Sequence, residues 1–131
     1  MSRTLLEVVV ALVPRDGRWL VAKRRANAHL GGLWEFPGGK CEPGEDPPTT
    51  AIRELVEECG VQAEAEDVWT PLTWDYGDRL VRITPVLCRW VAGEGRALAS
   101  EACRWVTMDE LGRLEMPAVN AEILRAIRAI R

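Results

Sequence analysis

The sequence predicts an α/β protein, an α/β/α sandwich with a mixed central β-sheet between helices. Three observations predict it. Runs of β-branched and aromatic residues recur from residue 5 to residue 107. One amphipathic helix pattern interrupts them after Asp46, and a second follows them after Pro117. Strands and helices interleaved in this way need helical cover for the sheet, and 131 residues suffice for one domain spanning 1–131 with a single core.

The elements follow in order. Residues 5–13 are nearly continuous in Leu, Val and Ala, as in a strand buried on both faces. Pro14-Arg15-Asp16-Gly17 is a turn, and Trp19 to Arg24 returns as a second strand, so the chain is expected to open with a hairpin. An Ala- and Gly-rich loop runs from Ala26 to Gly32, then an extended piece from Trp34 stops at Pro37-Gly38-Gly39. Asp46 can cap a helix, Pro47 suits its first position and Gly60 its end. Between them Ile52, Leu55, Val56 and Cys59 form the apolar stripe. Further strands are expected near 67–74, 79–91 and 103–107. A last helix from Pro117 should bury Ile123, Leu124, Ile127 and Ile130, with Arg125, Arg128 and Arg131 at the negative end of its dipole.

Composition narrows the function. At 47% hydrophobic and 28% charged residues, the chain is globular rather than disordered. No apolar run approaches the roughly 18 residues of a membrane span, so no membrane partner is expected. The first residues show no export or anchoring pattern, and a cytoplasmic location is the expectation. Cys41, Cys59, Cys88 and Cys103 form no CxxC pair and read as small apolar residues. A net charge of −3 argues against a nucleic-acid polymer. A small polyphosphate remains open, because metal ions can stand between a negative protein and a negative ligand. Both monomer and homodimer fit.

Chemistry concentrates on the first helix. At about 100° per residue, Glu54, Glu57 and Glu58 share roughly one third of its circumference, opposite the apolar stripe. Like charges at these spacings repel, and one arginine, Arg53, does not neutralise three carboxylates. Two readings stand: a solvated acidic face, or a site for magnesium, which takes carboxylates, waters and substrate phosphates. The glycines just before the helix let a backbone carbonyl approach an ion, and Glu45 sits at the positive helix end.

From Gly39 to Val61 the chain reads Gly39, five residues, Glu45, seven residues, Arg53-Glu54-Leu55, one residue, Glu57-Glu58, one residue, Gly60-Val61. This resembles a complete Nudix box, with every defining position filled. The resemblance implies the α/β/α sandwich and a metal-dependent hydrolase, with Mg2+ (or Mn2+) as cofactor. Carried across, it makes Glu57 and Glu58 metal ligands, adds the Gly39 carbonyl, and makes Glu54 a ligand or a base near the attacking water. Arg53 and Glu45 would orient those carboxylates.

Outside the box the chain is similar to MutT-type enzymes, which implies a nucleoside triphosphate as substrate, cleaved to monophosphate and pyrophosphate. Arg24 matches a phosphate-contacting position, although it also reads as a solvated strand end. Phe36 lies beside the base pocket in that pattern and reads equally as a core aromatic. Asn120, in Met116-Pro117-Ala118-Val119-Asn120, resembles the amide that reads oxidised guanine; alternatively it is a polar residue in a first helical turn. Arg79 resembles an arginine that packs on the base. Glu101, in Ser100-Glu101-Ala102-Cys103-Arg104-Trp105, resembles an acid that serves as a further ligand or base, about three residues displaced from the guanine-sanitising pattern. His29 is expected at the mouth. The expected substrate is 8-oxo-dGTP. The alternatives are a pyrimidine (CTP or dCTP) triphosphate and, in another class, a non-catalytic nucleotide-binding module.

Overall fold

The computed structural model describes residues 4–129. The elements run β1 (Thr4–Leu12), β2 (Pro14–Arg15), β3 (Arg18–Lys23), β4 (Trp34–Glu35), β5 (Gly38–Lys40), α1 (Pro47–Cys59), β6 (Gln62–Val68), β7 (Leu72–Asp75), β8 (Arg79–Ala92), β9 (Ala102–Thr107), α2 (Met108–Leu111) and α3 (Asn120–Ala129). The larger sheet has the order β5-β1-β8-β6, with β7 also on β8. It is mixed, because β1 and β8 are parallel while the other pairs are antiparallel. A smaller antiparallel sheet has the order β2-β3-β4, with β9 also on β3.

Alternation along the strands sorts the apolar residues into two cores. Val9, Ala11 and Val13 join Val86 and Cys88 against Ala51, Leu55 and Cys59 of α1. Leu12, Val81 and Ile83 share the other core with Phe36, Trp19 and the α3 residues Ile123 and Ile127. Each fully buried isoleucine or leucine contributes about 1.5–3 kcal/mol over exposure. One helix therefore seals each face, as the sequence predicts. Cys59 and Cys88 are core residues, and all four cysteines are free. Among the described residues no helix is long and apolar enough to cross a membrane.

Helix α1 forms where its local signals put it. Asp46 is extended (φ −88°, ψ 165°) and its side chain accepts the Thr49 N–H, while Gly60 ends the helix at φ 65°. The buried stripe is narrower than expected, running through Ala51, Leu55 and Cys59, while Val56 is exposed. Val56 lies about 100° round the helix from Leu55 and falls on the flank.

Other boundaries differ. The hairpin joins only β2 to β3, through Pro14↔Trp19 and Arg15↔Arg18; β1 pairs instead with β5 and β8. Burial on both faces of β1 begins only near Val9, since Thr4, Leu5 and Glu7 are exposed. The strand expected at 67–74 is two strands, β6 and β7. Pro117 begins a turn, the Asn120 N–H donating to its carbonyl at 2.9 Å, and α3 starts at Asn120. Leu124 is only partly buried against the core. Ile130 and Arg131 lie outside the described residues.

Candidate active site

Strand β5 carries Gly38 and Gly39 alongside Val10 and Val9 of β1, directly beneath α1. Glycine is required at 38, because a Cβ there would lie 2.0 Å from the Val9 carbonyl oxygen. At Gly39 a Cβ would lie 2.8 Å from the Glu54 carboxyl, so the missing side chain keeps a space between that backbone and the helix acids.

Arg53 organises the acids around it. Its Nε and Nη2 donate to Glu45 at 2.7 and 2.9 Å, and its Nη1 donates to Glu54 at 2.8 Å and Glu57 at 3.1 Å. Glu45 also accepts from the Thr50 hydroxyl at 2.6 Å and the Glu42 N–H at 3.1 Å. These bonds, that with Arg53 first, hold the Glu45 carboxyl down at about 2. The same bond with Glu45 pushes the Arg53 guanidinium still higher. Arg53 makes an i,i+4 pair with Glu57, and it also bonds Glu45 and Glu54.

The three helix acids differ in setting. Glu57 is exposed. Glu54 is nearly covered, and burial raises its carboxyl against the pull of Arg53. Glu58 accepts the Gly38 N–H at 2.9 Å, and burial, with Glu54 and Glu35 adding, pushes its carboxyl up to about 7. Among the described residues no three acid, cysteine or histidine side chains converge on one point as they stand. Arg53 Nη1 takes up Glu54 and Glu57, while the Gly38 amide takes up Glu58.

Two hollows meet beside this helix. One, of about 340 Å3, is lined by Glu58, Glu35, Arg24, Arg25 and Ser100 among others. The second, of about 240 Å3, is lined by Arg24, Glu35, Phe36, Tyr76, Arg79 and Asn120, with His29 and Lys40. Arg24 and Glu35 belong to both. The four residues picked from the sequence for substrate, Arg24, Phe36, Arg79 and Asn120, thus line one hollow, although they come from four separate stretches of chain.

Each is held differently. The Arg24 guanidinium donates to Glu35 at 3.2 and 3.3 Å and to the His29 carbonyl at 2.6 Å. Phe36 is 2% exposed, so it is a core aromatic as well as a wall of the hollow. The Arg79 guanidinium carbon lies 5.8 Å from the centroid of the Tyr76 ring. Asn120 is 6% exposed, and its amide has one side-chain bond, from Nδ2 to the Met116 sulfur at 3.7 Å. A thioether is a weak acceptor, so the protein engages this amide only lightly.

Glu101 is not brought to the cluster: it is exposed, its N–H donates to the Lys23 carbonyl at 2.9 Å, and its neighbours Ala99 and Ser100 line the first hollow instead. Sequence reasoning assigned no role to Glu35 and Tyr76. The signal for Glu35 was an acid set between buried Trp34 and Phe36; burial raises its carboxyl and Arg24 opposes that.

Comparison with known proteins bears on this arrangement. The sequence model of the NUDIX domain matches residues 8–126. The chain is 31% identical over 127 residues to the CTP pyrophosphohydrolase of Escherichia coli strain K12, covering 97% of this chain and 94% of that protein. It is 25% identical over 126 residues to the 8-oxo-dGTP diphosphatase of the same strain, covering 95% and 98%. Among solved structures, the Escherichia coli ORF135 protein superposes with a TM-score of 0.83 at 30% identity, over 98% of this chain and 92% of that one. The MutT protein of Methanosarcina mazei Go1 gives 0.86 at 22% identity over 98% and 96%, a likeness of fold. A complete acidic helix motif, a mixed sheet sealed by a helix on each face, and matches along nearly the whole chain agree: the protein belongs to the Nudix hydrolase family.

Proposed function

We propose that the chain hydrolyses a nucleoside triphosphate to the monophosphate and pyrophosphate, with magnesium or manganese. The observation that carries this is the adjacency of the two hollows, which share Arg24 and Glu35 in their linings. The side lined by Glu58 suits phosphates and a cation. The side lined by Phe36, Arg79 and Asn120 suits a base.

The donors fit a hard divalent cation. They are all oxygens, and the bare Gly39 leaves room beside Glu54. Glu57 and Glu58, with the Gly39 carbonyl and Glu54, would hold it. Such an ion neutralises phosphate oxygens and acidifies bound water. Glu54, whose carboxyl burial already raises, would take the proton as water adds to phosphorus and pyrophosphate separates from the monophosphate. Arg53, fixed by Glu45, would orient Glu54 and Glu57.

The base proposed is oxidised guanine, because an amide both donates and accepts and so meets the N7–H and O6 of 8-oxo-guanine at once. A pyrimidine triphosphate is the second reading, supported by the greater identity to the relative named for CTP. Cytosine also offers a donor beside an acceptor, so the amide alone does not separate the two. Pyrophosphate release from 8-oxo-dGTP, dGTP, CTP and dCTP with Mg2+ decides. A preference for the oxidised purine supports the first reading and a preference for CTP or dCTP the second. No release from any would overturn both and favour a binding module.

A further inference from the structure

A segment that the chemistry above does not use crosses the C-terminal end of α1. The Arg96 N–H donates to the Cys59 carbonyl at 2.9 Å, and the Leu98 N–H to the Glu58 carbonyl at 3.1 Å. These carbonyls are among those a helix end leaves without internal partners. The approach is close: at Gly93 (φ 99°) a Cβ would lie 2.4 Å from the Gly60 carbonyl oxygen.

The start of this segment is held by two tryptophans. Trp90 Nε1 donates to the Gly93 carbonyl at 2.8 Å and Trp105 Nε1 to the Glu94 carbonyl at 2.6 Å. Arg15 of β2 reaches both indoles, its guanidinium carbon 3.8 Å from the centroid of the Trp90 ring and 5.5 Å from that of Trp105. It also donates to the Glu94 carboxylate at 3.3 and 3.4 Å. A planar guanidinium can stack on an aromatic face while its edge bonds a carboxylate.

An exposed Arg–Glu pair by itself contributes little. What distinguishes this one is the residue it leads to. Glu58 is held at two points, its carbonyl by Leu98 and its carboxylate by the Gly38 N–H. We infer that Arg15 is a positioning residue: by clamping residues 93–98 it fixes the backbone at Glu58, and with it the place where Glu57 and Glu58 present oxygens to a divalent cation. This rests on the proposed role of those carboxylates as metal ligands.

The test uses the full chain as wild type, Arg15→Ala and Arg15→Lys, with Mn2+ titrated by electron paramagnetic resonance and amide exchange followed at Arg96 and Leu98. Arg15→Ala should exchange both amides faster and bind Mn2+ about ten-fold more weakly, with KM for the triphosphate unchanged once Mn2+ is saturating. Arg15→Lys, which keeps the charge but not the plane, should fall between. Unchanged exchange overturns the clamp. Faster exchange, or a lower melting temperature, with Mn2+ affinity intact makes Arg15 merely structural and overturns the inference. A wild type that binds no Mn2+ overturns the metal reading itself, and this inference with it, whatever the exchange shows.

Discussion

Arg53 and Glu45 form a two-pronged pair, Nε to Oε2 at 2.7 Å and Nη2 to Oε1 at 2.9 Å, that fixes the guanidinium before its remaining edge meets the acids of α1. Such a fork sets direction as well as attraction. It spans the segment ahead of the helix and the helix itself, so the loop of the box and its acids move together.

The pair makes stability depend on pH in a defined sense. The Glu45 carboxyl is held at about 2 in the folded protein against an ordinary 4.5. A lowered carboxyl stabilises the fold above the ordinary value, and that contribution fades as pH falls from 4.5 toward 2. Urea unfolding of wild type and Glu45→Gln should therefore show a gap at neutral pH that closes on acidification. A gap independent of pH would mean that packing, not charge, accounts for Glu45.

Glu57 is the most exposed of the three helix acids and, among the described residues, bonds only Arg53. Glu57→Gln should leave the melting temperature near wild type while lowering turnover by about two to four orders of magnitude. A near-normal rate would remove Glu57 from the proposed ligands.

Asn120→Ala should flatten the ranking of triphosphates while pyrophosphate is still released. The amide lines the hollow proposed for the base, and among the described residues its side chain makes one weak bond. An unchanged ranking, measured as kcat/KM across the four substrates, would assign base reading elsewhere.

Gly38→Ala tests the seat beneath the helix. The added carbon would stand 2.0 Å from the Val9 oxygen, which is backbone and cannot swing aside. A loss of about 1–3 kcal/mol or more is expected in denaturant unfolding. Unaltered stability would show that β5 can shift away from β1.

What could be read from the sequence was local in origin. Asp46, Pro47 and Gly60 bound α1 by chemistry confined to a few neighbouring residues, and the spacing of Glu54, Glu57 and Glu58 follows from helical geometry alone. The same limit explains the misses. Turn residues at 14–17 suggested a hairpin for the whole of β1, but its main partner is β8, which no local pattern announces. Strand β6, Gln62–Val68, is rich in Ala and Glu and forms because β8 offers a ladder to it. Glu35 enters the site through a pairing with Arg24, and Glu101 is exposed while its neighbours Ala99 and Ser100 line the hollow.

The parallel pairing of β1 with β8 also bears on the order of assembly. Thr4 faces Arg79 and Leu12 faces Leu87, so each contact closes a loop of about 75 residues. Val86 and Cys88, on the same strand, complete the apolar bed on which α1 lies. Until residue 88 is in place that bed is incomplete, so the acidic helix reaches its full packing only when the two distant strands have met.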